Sequence, residues 1–240
     1  MSDTALSTGF LTDLHQHWPF PSQLTDCTLV SACFNEQALS TELCTHYGVT
    51  LPPAARKRQA EFLAARLCAR KALQQQTGSA CLPVQQPHSR IPVWPPHSCG
   101  SMTHSQGICA AVVGNSRTWQ SLGLDLERPI PHARAQRLAR TILTSDEYAA
   151  YCELDTAQQA QRLTLTFSLK ESLFKALNPL TGMYFGFQDA QIVTIDSAST
   201  GHARLALNKS LSEQWRAGCE LEGQFSLLHG SVLSLIAVGY

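Results

Sequence analysis

The sequence has little charge, no net charge, no paired-cysteine motif and no long apolar run. Only 15% of its 240 residues are Asp, Glu, Lys or Arg, and 18 bases balance 18 acids. No global field therefore draws the chain to nucleic acid or anionic lipid, and attraction to a charged ligand must come from a local patch. Nine cysteines, an odd number, contain no CxxC pair and no zinc-site spacing, which argues against a metal-stapled or disulfide-stapled scaffold. No stretch approaches the roughly 20 apolar residues of a membrane span. The start, MSDTALSTGFLTDLHQHWPF, lacks the basic and apolar regions of a secretory signal. A reduced, cytoplasmic setting follows, with cysteines serving as small core residues.

What is present is an ordinary globular composition, 44% apolar, in a chain long enough for one large domain or two lobes of roughly 100–120 residues each. Residues 1–50 read as one or two strands and a short helix. A strong helical pattern runs from Ala54 to Gln75, with Phe62, Leu63, Leu67, Ala69 and Leu73 as its buried stripe and Thr77-Gly78 as its stop. From Cys81 to Gly100 the prolines at 83, 87, 92, 95 and 96 predict an irregular loop. Gly107–Gly114 and Leu122–Glu127 read as buried strands, and Ala133–Leu154 as polar helix with a start at Ser145-Asp146-Glu147. A second strong helix spans Arg162–Asn178, and Pro179 is expected to end it. Strands are predicted at Gln191–Ile195, Ala203–Leu207, Gly223–His229 and Val232–Val238. The segments His104–Gly114 and His229–Gly239 echo each other, as do Lys71-Ala72-Leu73 and Lys175-Ala176-Leu177, which suggests an internal duplication.

Four segments carry candidate chemistry. In Gly123-Leu-Asp-Leu-Glu127, strand alternation sends Leu122, Leu124 and Leu126 to the core and projects Asp125 and Glu127 together from the other face. Such a pair is either an acidic solvent face or a hard-cation site with oxygen ligands that suit magnesium. In Phe167–Leu177, Glu171 and Lys175 share a helical face and Lys170 adjoins them; an ordinary surface ion pair is the plain alternative. Six of the 18 bases fall between Arg56 and Lys71 against the single acid Glu61. Arginine forks there suit phosphate oxygens, but a solvated basic face or a nucleic-acid contact has the same composition. Gly100-Ser-Met-Thr-His104-Ser105, placed at a strand entry, can hold phosphate through N–H and side-chain donors, though a lone histidine of this kind also serves structure.

These segments occur together in one family's order. Arg58-x-x-Glu-Phe-Leu-x-x-Arg66-x-x-Ala-Arg70, then Pro-Val-Trp-Pro95, Gly-Ser-Met-Thr-His-Ser105, Gly-Leu-Asp-Leu-Glu127 and Lys170-Glu-Ser-x-x-Lys-Ala176 resemble the two-lobed 4′-phosphopantetheinyl transferases. Asn178-Pro-Leu-Thr-Gly182 and Phe185-Gly-Phe187 resemble the enterobactin synthase component D branch in particular. The likeness covers about residues 55–195, and residues 1–50 carry none of it. Ala65 stands where that branch commonly has glycine, and Phe167 where many relatives have tryptophan.

The resemblance implies an α/β (α+β) fold of two pseudo-symmetric lobes, 1–120 and 121–240. Each is a small, mostly antiparallel sheet on a long helix, with coenzyme A in a cleft between them. It implies magnesium on Asp125, Glu127 and Glu171, the 3′-phosphate on Arg58 and Arg66, and other parts of the coenzyme on Arg90, Thr103 and His104. Lys170 and Lys175 are expected to neutralise phosphate charge, and Glu171 to act as general base toward the serine of an apo-carrier protein, with 3′,5′-ADP as leaving group. A siderophore, other nonribosomal-peptide or polyketide pathway, assembly with a synthetase complex, a monomeric chain and no nucleic-acid partner complete the expectation. The rivals are another magnesium-dependent nucleotide enzyme, separable by 3′,5′-ADP release, and a non-enzymatic nucleic-acid binder. Zero net charge and the absence of basic-aromatic interleaving argue against the latter.

Overall fold

In a computed structural model, residues 4–85, 91–196 and 199–240 are described. They form two compact units, one from the N-terminal segment to Trp18 with Thr25–Thr118, the other from Pro19–Leu24 with Trp119–Tyr240.

The first unit holds α1 (Thr4–Ser7), β1 (Leu11–Gln16), β2 (Cys27–Phe34), α2 (Thr41–Tyr47) and α3 (Arg56–Thr77). After them come β3 (Val84–Gln85), β4 (Pro92–Val93), β5 (Ser98–Ser105) and β6 (Ile108–Asn115). Its four-stranded antiparallel sheet has the order β1-β2-β6-β5, while β3 and β4 pair separately inside the proline-rich stretch expected to be irregular. The α3 helix ends at Gly78 in the left-handed conformation that only glycine adopts freely (φ 76°). Leu63, Ala64, Leu67, Cys68 and Leu73 of α3 pack into one core with Val30 of β2 and Ala111 and Val113 of β6. Phe62, read as part of that stripe, is only half-buried and instead lies under an arginine. Gly100–Ser105, expected at a strand entry, is the strand β5 itself.

The second unit runs through β7 (Trp119–Glu127), α4 (His132–Ile142), α5 (Ser145–Cys152), α6 (Thr156–Thr181), β8 (Ala190–Ile195), β9 (Gly201–Leu207), β10 (Glu220–Leu228) and β11 (Ser231–Gly239). The sheet order is β7-β11-β10-β9-β8, antiparallel throughout, so β8 is an edge strand. The α6 helix continues through Pro179 to a left-handed cap at Gly182. The expectation that proline stops this helix fails because the ring removes one hydrogen bond near the end of a 26-residue element, and packing of the preceding turns outweighs that loss. Leu169, Leu173, Ala176 and Leu177 enter a core with Leu205, Phe225 and Ile236.

The strand connections repeat. In each unit a strand before the long helix (β2, β7) pairs with the second strand (β6, β11) of a later hairpin. Both hairpins turn on two residues of positive φ, Gln106-Gly107 (44°, 87°) and His229-Gly230 (48°, 73°), the pair of left-handed residues a type I′ turn needs. Superposing these turns moves the echo noted above by two residues, aligning Gln106 rather than His104 with His229. Apolar alternation could not detect this, because a shift of two keeps every side chain on its own face. Of the cysteines, Cys27, Cys44, Cys68, Cys99 and Cys109 are buried, but Cys152 is exposed.

Candidate active site

The first unit gathers cations. Arg58, near the start of α3, donates through Nη1 to His104 Nε2 of β5 at 2.7 Å. Accepting at Nε2 places the ring proton on Nδ1, which faces Glu61 Oε2 at 3.6 Å. Glu61 also lies 3.5 Å from Arg58, one helical turn away. Arg66, two turns on, is 6% exposed. Its guanidinium donates to Gln85 Oε1 (2.8 Å) and to the Phe62 carbonyl (3.4 Å), and its Cζ lies 3.4 Å from the Phe62 ring centroid. Among the described residues no carboxylate pairs with it. Burial, with Arg58 adding repulsion, pulls its pKa down to about 10. A buried guanidinium without a counter-ion is costly, and an anion relieves that cost. Thr103 is buried, and alternation along β5 puts it on the opposite face from His104, so the structure separates two residues expected to act together. Arg90 lies outside the described residues.

The second unit gathers anions. Its geometry begins at Gly123, where a Cβ would sit 1.9 Å from the Ser172 carbonyl oxygen and 2.7 Å from the Ala176 nitrogen. Only glycine lets β7 approach α6 so closely. The helix meets the sheet through small residues at four-residue spacing, Ser168, Ser172 and Ala176. Ser168 and Ser172 hydroxyls both reach Ser234 Oγ of β11, at 2.7 and 2.8 Å. This contact covers the face of β7 that carries Gly123 and Asp125, which is therefore not an acidic solvent face. Asp125 is consequently 4% exposed, its Oδ1 2.8 Å from Lys175 Nζ, which also donates to the Leu124 carbonyl at 2.9 Å. Asp125 Oδ2 is buried and has no hydrogen-bond partner among the described residues.

Glu127 and Glu171 feel the same cluster. Burial, with Asp125 and then Glu171 adding repulsion against the pull of Lys175 and Arg134, pushes the Glu127 carboxyl up to about 7. Burial and Asp125 also raise Glu171, with Lys175 opposing. Three carboxylates thus share one partly buried region in which the Lys175 ammonium offsets only part of their charge.

Lys170 does not join them. Its Nζ is buried between Glu147 Oε2 (2.6 Å) and the Ile142 carbonyl (2.9 Å), so the charge expected to meet phosphate is already paired. Helical geometry explains the separation: positions 171 and 175 share a face, whereas 170 points roughly 100° away from 171.

Comparison with known proteins decides the family. A profile of the 4′-phosphopantetheinyl transferase N-terminal domain matches residues 49–114, and one of the 4′-phosphopantetheinyl transferase superfamily matches residues 121–229. The chain is 32% identical to the 4′-phosphopantetheinyl transferase Npt of Nocardia iowensis, over 75% of this chain and 82% of the relative. It is 34% identical to Svp of Streptomyces mobaraensis, over 87% and 80%. It is 37% identical to enterobactin synthase component D of Escherichia coli K12, over 62% and 68%. The chain belongs to the 4′-phosphopantetheinyl transferase family. It is an enzyme that moves the 4′-phosphopantetheine group of coenzyme A onto a carrier-protein domain. No helix among the described residues is long and apolar enough to cross a membrane.

For this transferase the carboxylate region passes a chemical test for a hard divalent ion. The donors are all carboxylate oxygens, one of them buried without a partner, and their mutual repulsion asks for positive charge. Among the described residues, however, no three His, Cys, Asp or Glu side chains already converge as an ion cage.

Sequence reasoning missed Glu147. It was read only as part of a helix start, yet it completes a capping box with Thr144, accepts from Lys170, and takes the Ile192 N–H of β8 at 2.7 Å. The Thr-x-x-Glu spacing signalled the cap. Nothing local signalled a lysine 23 residues away. Gln85, which holds Arg66, was missed for the same reason.

Proposed function

We propose that the transferase binds coenzyme A by its phosphates and uses Asp125, Glu127 and Glu171 to hold a magnesium ion on the pyrophosphate. The observation that carries this reading is the carboxylate group itself: Asp125 Oδ2 has no partner among the described residues, and burial and mutual repulsion raise both glutamates. Held by Asp125, Glu127 and Glu171, such an ion would supply positive charge to offset that of the phosphates and of the leaving group. Lys175, already among these carboxylates, supplies further positive charge. Arg58 and Arg66 hold the 3′-phosphate, which gives the buried Arg66 the anion it lacks among the described residues. His104 orients Arg58 by accepting from it, and His104, Thr103 and Arg90 steady other parts of the coenzyme.

Glu171 takes the proton of the carrier serine as its oxygen attacks the β-phosphorus; the new P–O bond forms as the bond to 3′,5′-ADP breaks. A raised carboxyl pKa suits a base better than an ordinary one, because proton affinity sets its driving force. Lys170 acts as a positioning residue, tying α6 to α5 through Glu147. The carrier belongs to a siderophore, other nonribosomal-peptide or polyketide assembly line. The enzyme works as a cytoplasmic monomer that meets its synthetase complex through the carrier.

The test is mass spectrometry of several apo-carrier domains incubated with the protein, coenzyme A and magnesium. A gain of one phosphopantetheine, dependent on the metal and strongest with carriers of one pathway, is the expected result. Transfer at full rate in excess chelator would remove the magnesium assignment.

A further inference from the structure

Glu61 is out of keeping with its surroundings. It is the single acid among the six bases between Arg56 and Lys71, and it is 8% exposed. A buried carboxylate is costly, and one set among cations that await a phosphate also repels that phosphate. A side chain that opposes the ligand in this way needs another task, and its contacts supply one. Among the described residues its carboxylate meets Arg58 Nη1 at 3.5 Å and His104 Nδ1 at 3.6 Å, and no other cation.

The three side chains form a series from the core outward, with 11% of the Glu61 side chain exposed, 25% of His104 and 56% of Arg58. His104 stands on the α3 side of the sheet, because Cys109, its cross-strand partner in β6, packs into the α3 core. A guanidinium only donates, so the 2.7 Å contact from Arg58 requires an unprotonated Nε2. The ring proton then sits on Nδ1, toward the Glu61 carboxylate, whose charge favours that tautomer. At 3.6 Å this is an electrostatic contact, looser than a hydrogen bond. An exposed arginine loses rotamer freedom when it grips a ligand, and one already held loses less.

We propose that Glu61 is a positioning residue for recognition of the 3′-phosphate. It holds His104 in the Nδ1–H tautomer, which keeps Nε2 as an acceptor and Arg58 in one orientation before the coenzyme arrives. The inference rests on the role proposed above for Arg58 at that phosphate, and adds the residue that prepares it.

Glu61→Gln and Glu61→Met carry the test. Both are neutral, similar in length and good helix formers, and only glutamine keeps an acceptor oxygen. Loss of the carboxylate's charge, which by itself favours phosphate, is common to both, so their difference isolates positioning. Long-range proton–nitrogen NMR of the full-length, unliganded protein reads the tautomer at a pH where the ring is neutral, with His104 assigned by the signal lost in His104→Gln. The Nδ1–H form is expected in the parent and in Glu61→Gln, and a mixture of tautomers in Glu61→Met. The Michaelis constant for coenzyme A should be about two- to tenfold higher in Glu61→Met than in Glu61→Gln, the scale of immobilising one long side chain. That difference should vanish with 3′-dephospho-coenzyme A and in an Arg58→Ala background. A role in folding alone would lower the melting temperature without either dependence. Should Glu61→Met fail to fold, Glu61→Ala replaces it with the same expectations. The proposal is overturned by an unchanged tautomer in Glu61→Met, by equal Michaelis constants in the two variants, or by a difference that persists without the 3′-phosphate or without Arg58. If the tautomer shifts but Arg58→Ala leaves the constant for coenzyme A unmoved, the reading of Arg58 is what fails, and the positioning role at that phosphate falls with it.

Discussion

The two long helices invite comparison, because each lies on an antiparallel sheet that shares a three-strand arrangement, β2-β6-β5 in one and β7-β11-β10 in the other, and yet each prepares the opposite charge. α3 buries Arg66 with only amide, carbonyl and ring partners, and keeps Glu61 for the more exposed Arg58 and His104. α6 and β7 bury Asp125 with one oxygen paired to Lys175 and the other unpaired. The contact surfaces differ accordingly. α3 reaches its sheet through leucines, alanines and a cysteine, whereas α6 comes close enough to β7 to exclude even a methyl group at Gly123. One repeated scaffold can thus hold an unneutralised cation or an unneutralised anion, and the residues at closest approach decide which. In both units the incomplete neutralisation is a stability cost that the proposed phosphate ligand and metal would remove.

The largest effect should come from the anionic side. Glu171→Gln keeps the shape and one carbonyl oxygen but removes the basic one, so transfer should fall about 10²- to 10⁴-fold, the usual worth of a positioned base. Calorimetric coenzyme A affinity in magnesium should survive. If single-turnover transfer is unchanged, Glu171 is not the base.

Gly123→Ala attacks the close approach directly. With backbone atoms 1.9 and 2.7 Å from the new carbon, the strand and helix must part, at a cost of about 3 kcal/mol or more. A denaturant midpoint equal to that of the parent would mean β7 and α6 adjust freely.

The cationic side should respond with opposite signs in two measurements. Arg66→Met removes a buried, unpaired charge, so the unliganded protein should melt at the same temperature or higher. Its Michaelis constant for coenzyme A should rise about 10- to 100-fold, as a charge-assisted contact is lost. With 3′-dephospho-coenzyme A the substitution should matter little; equal losses on both substrates would show that Arg66 does not read the 3′-phosphate.

The smallest effect is on the pH profile. Glu127 titrates near 7 when folded and near 4.5 when unfolded. Between those values the native state holds a proton that the unfolded state has released, so this group makes stability fall as pH rises from about 4.5 to 7 and then level off. Glu127→Gln should flatten that segment in chemical unfolding measured at several pH values. Magnesium with coenzyme A should draw the Glu127 titration downward in an NMR experiment, because a cation competes with the proton; an unmoved titration would place Glu127 outside the metal's field.

Much of this was legible before any coordinates. The Asp125–Glu127 period, the Glu171–Lys175 spacing and the basic run on α3 are local patterns, and local geometry follows from a helix period of 3.6 or a strand period of 2. The errors came where a partner lies far along the chain. Strand alternation put Asp125 and Glu127 on one side of β7 but could not say what covers that side, and Asp125 is in fact buried. Lys170, expected from the resemblance to neutralise phosphate, is paired with Glu147, a partner 23 residues away that no local pattern announces.

The amino-acid sequence by itself determined the family, the elements that carry its motifs and the kinds of charge each unit carries, since all three reside in residue type and short-range spacing. Only the tertiary structure decided which charges remain unsatisfied. Burial and pairing depend on groups 23 residues apart in Glu147–Lys170 and 50 apart in Asp125–Lys175, contacts that exist once the helix has packed on its sheet.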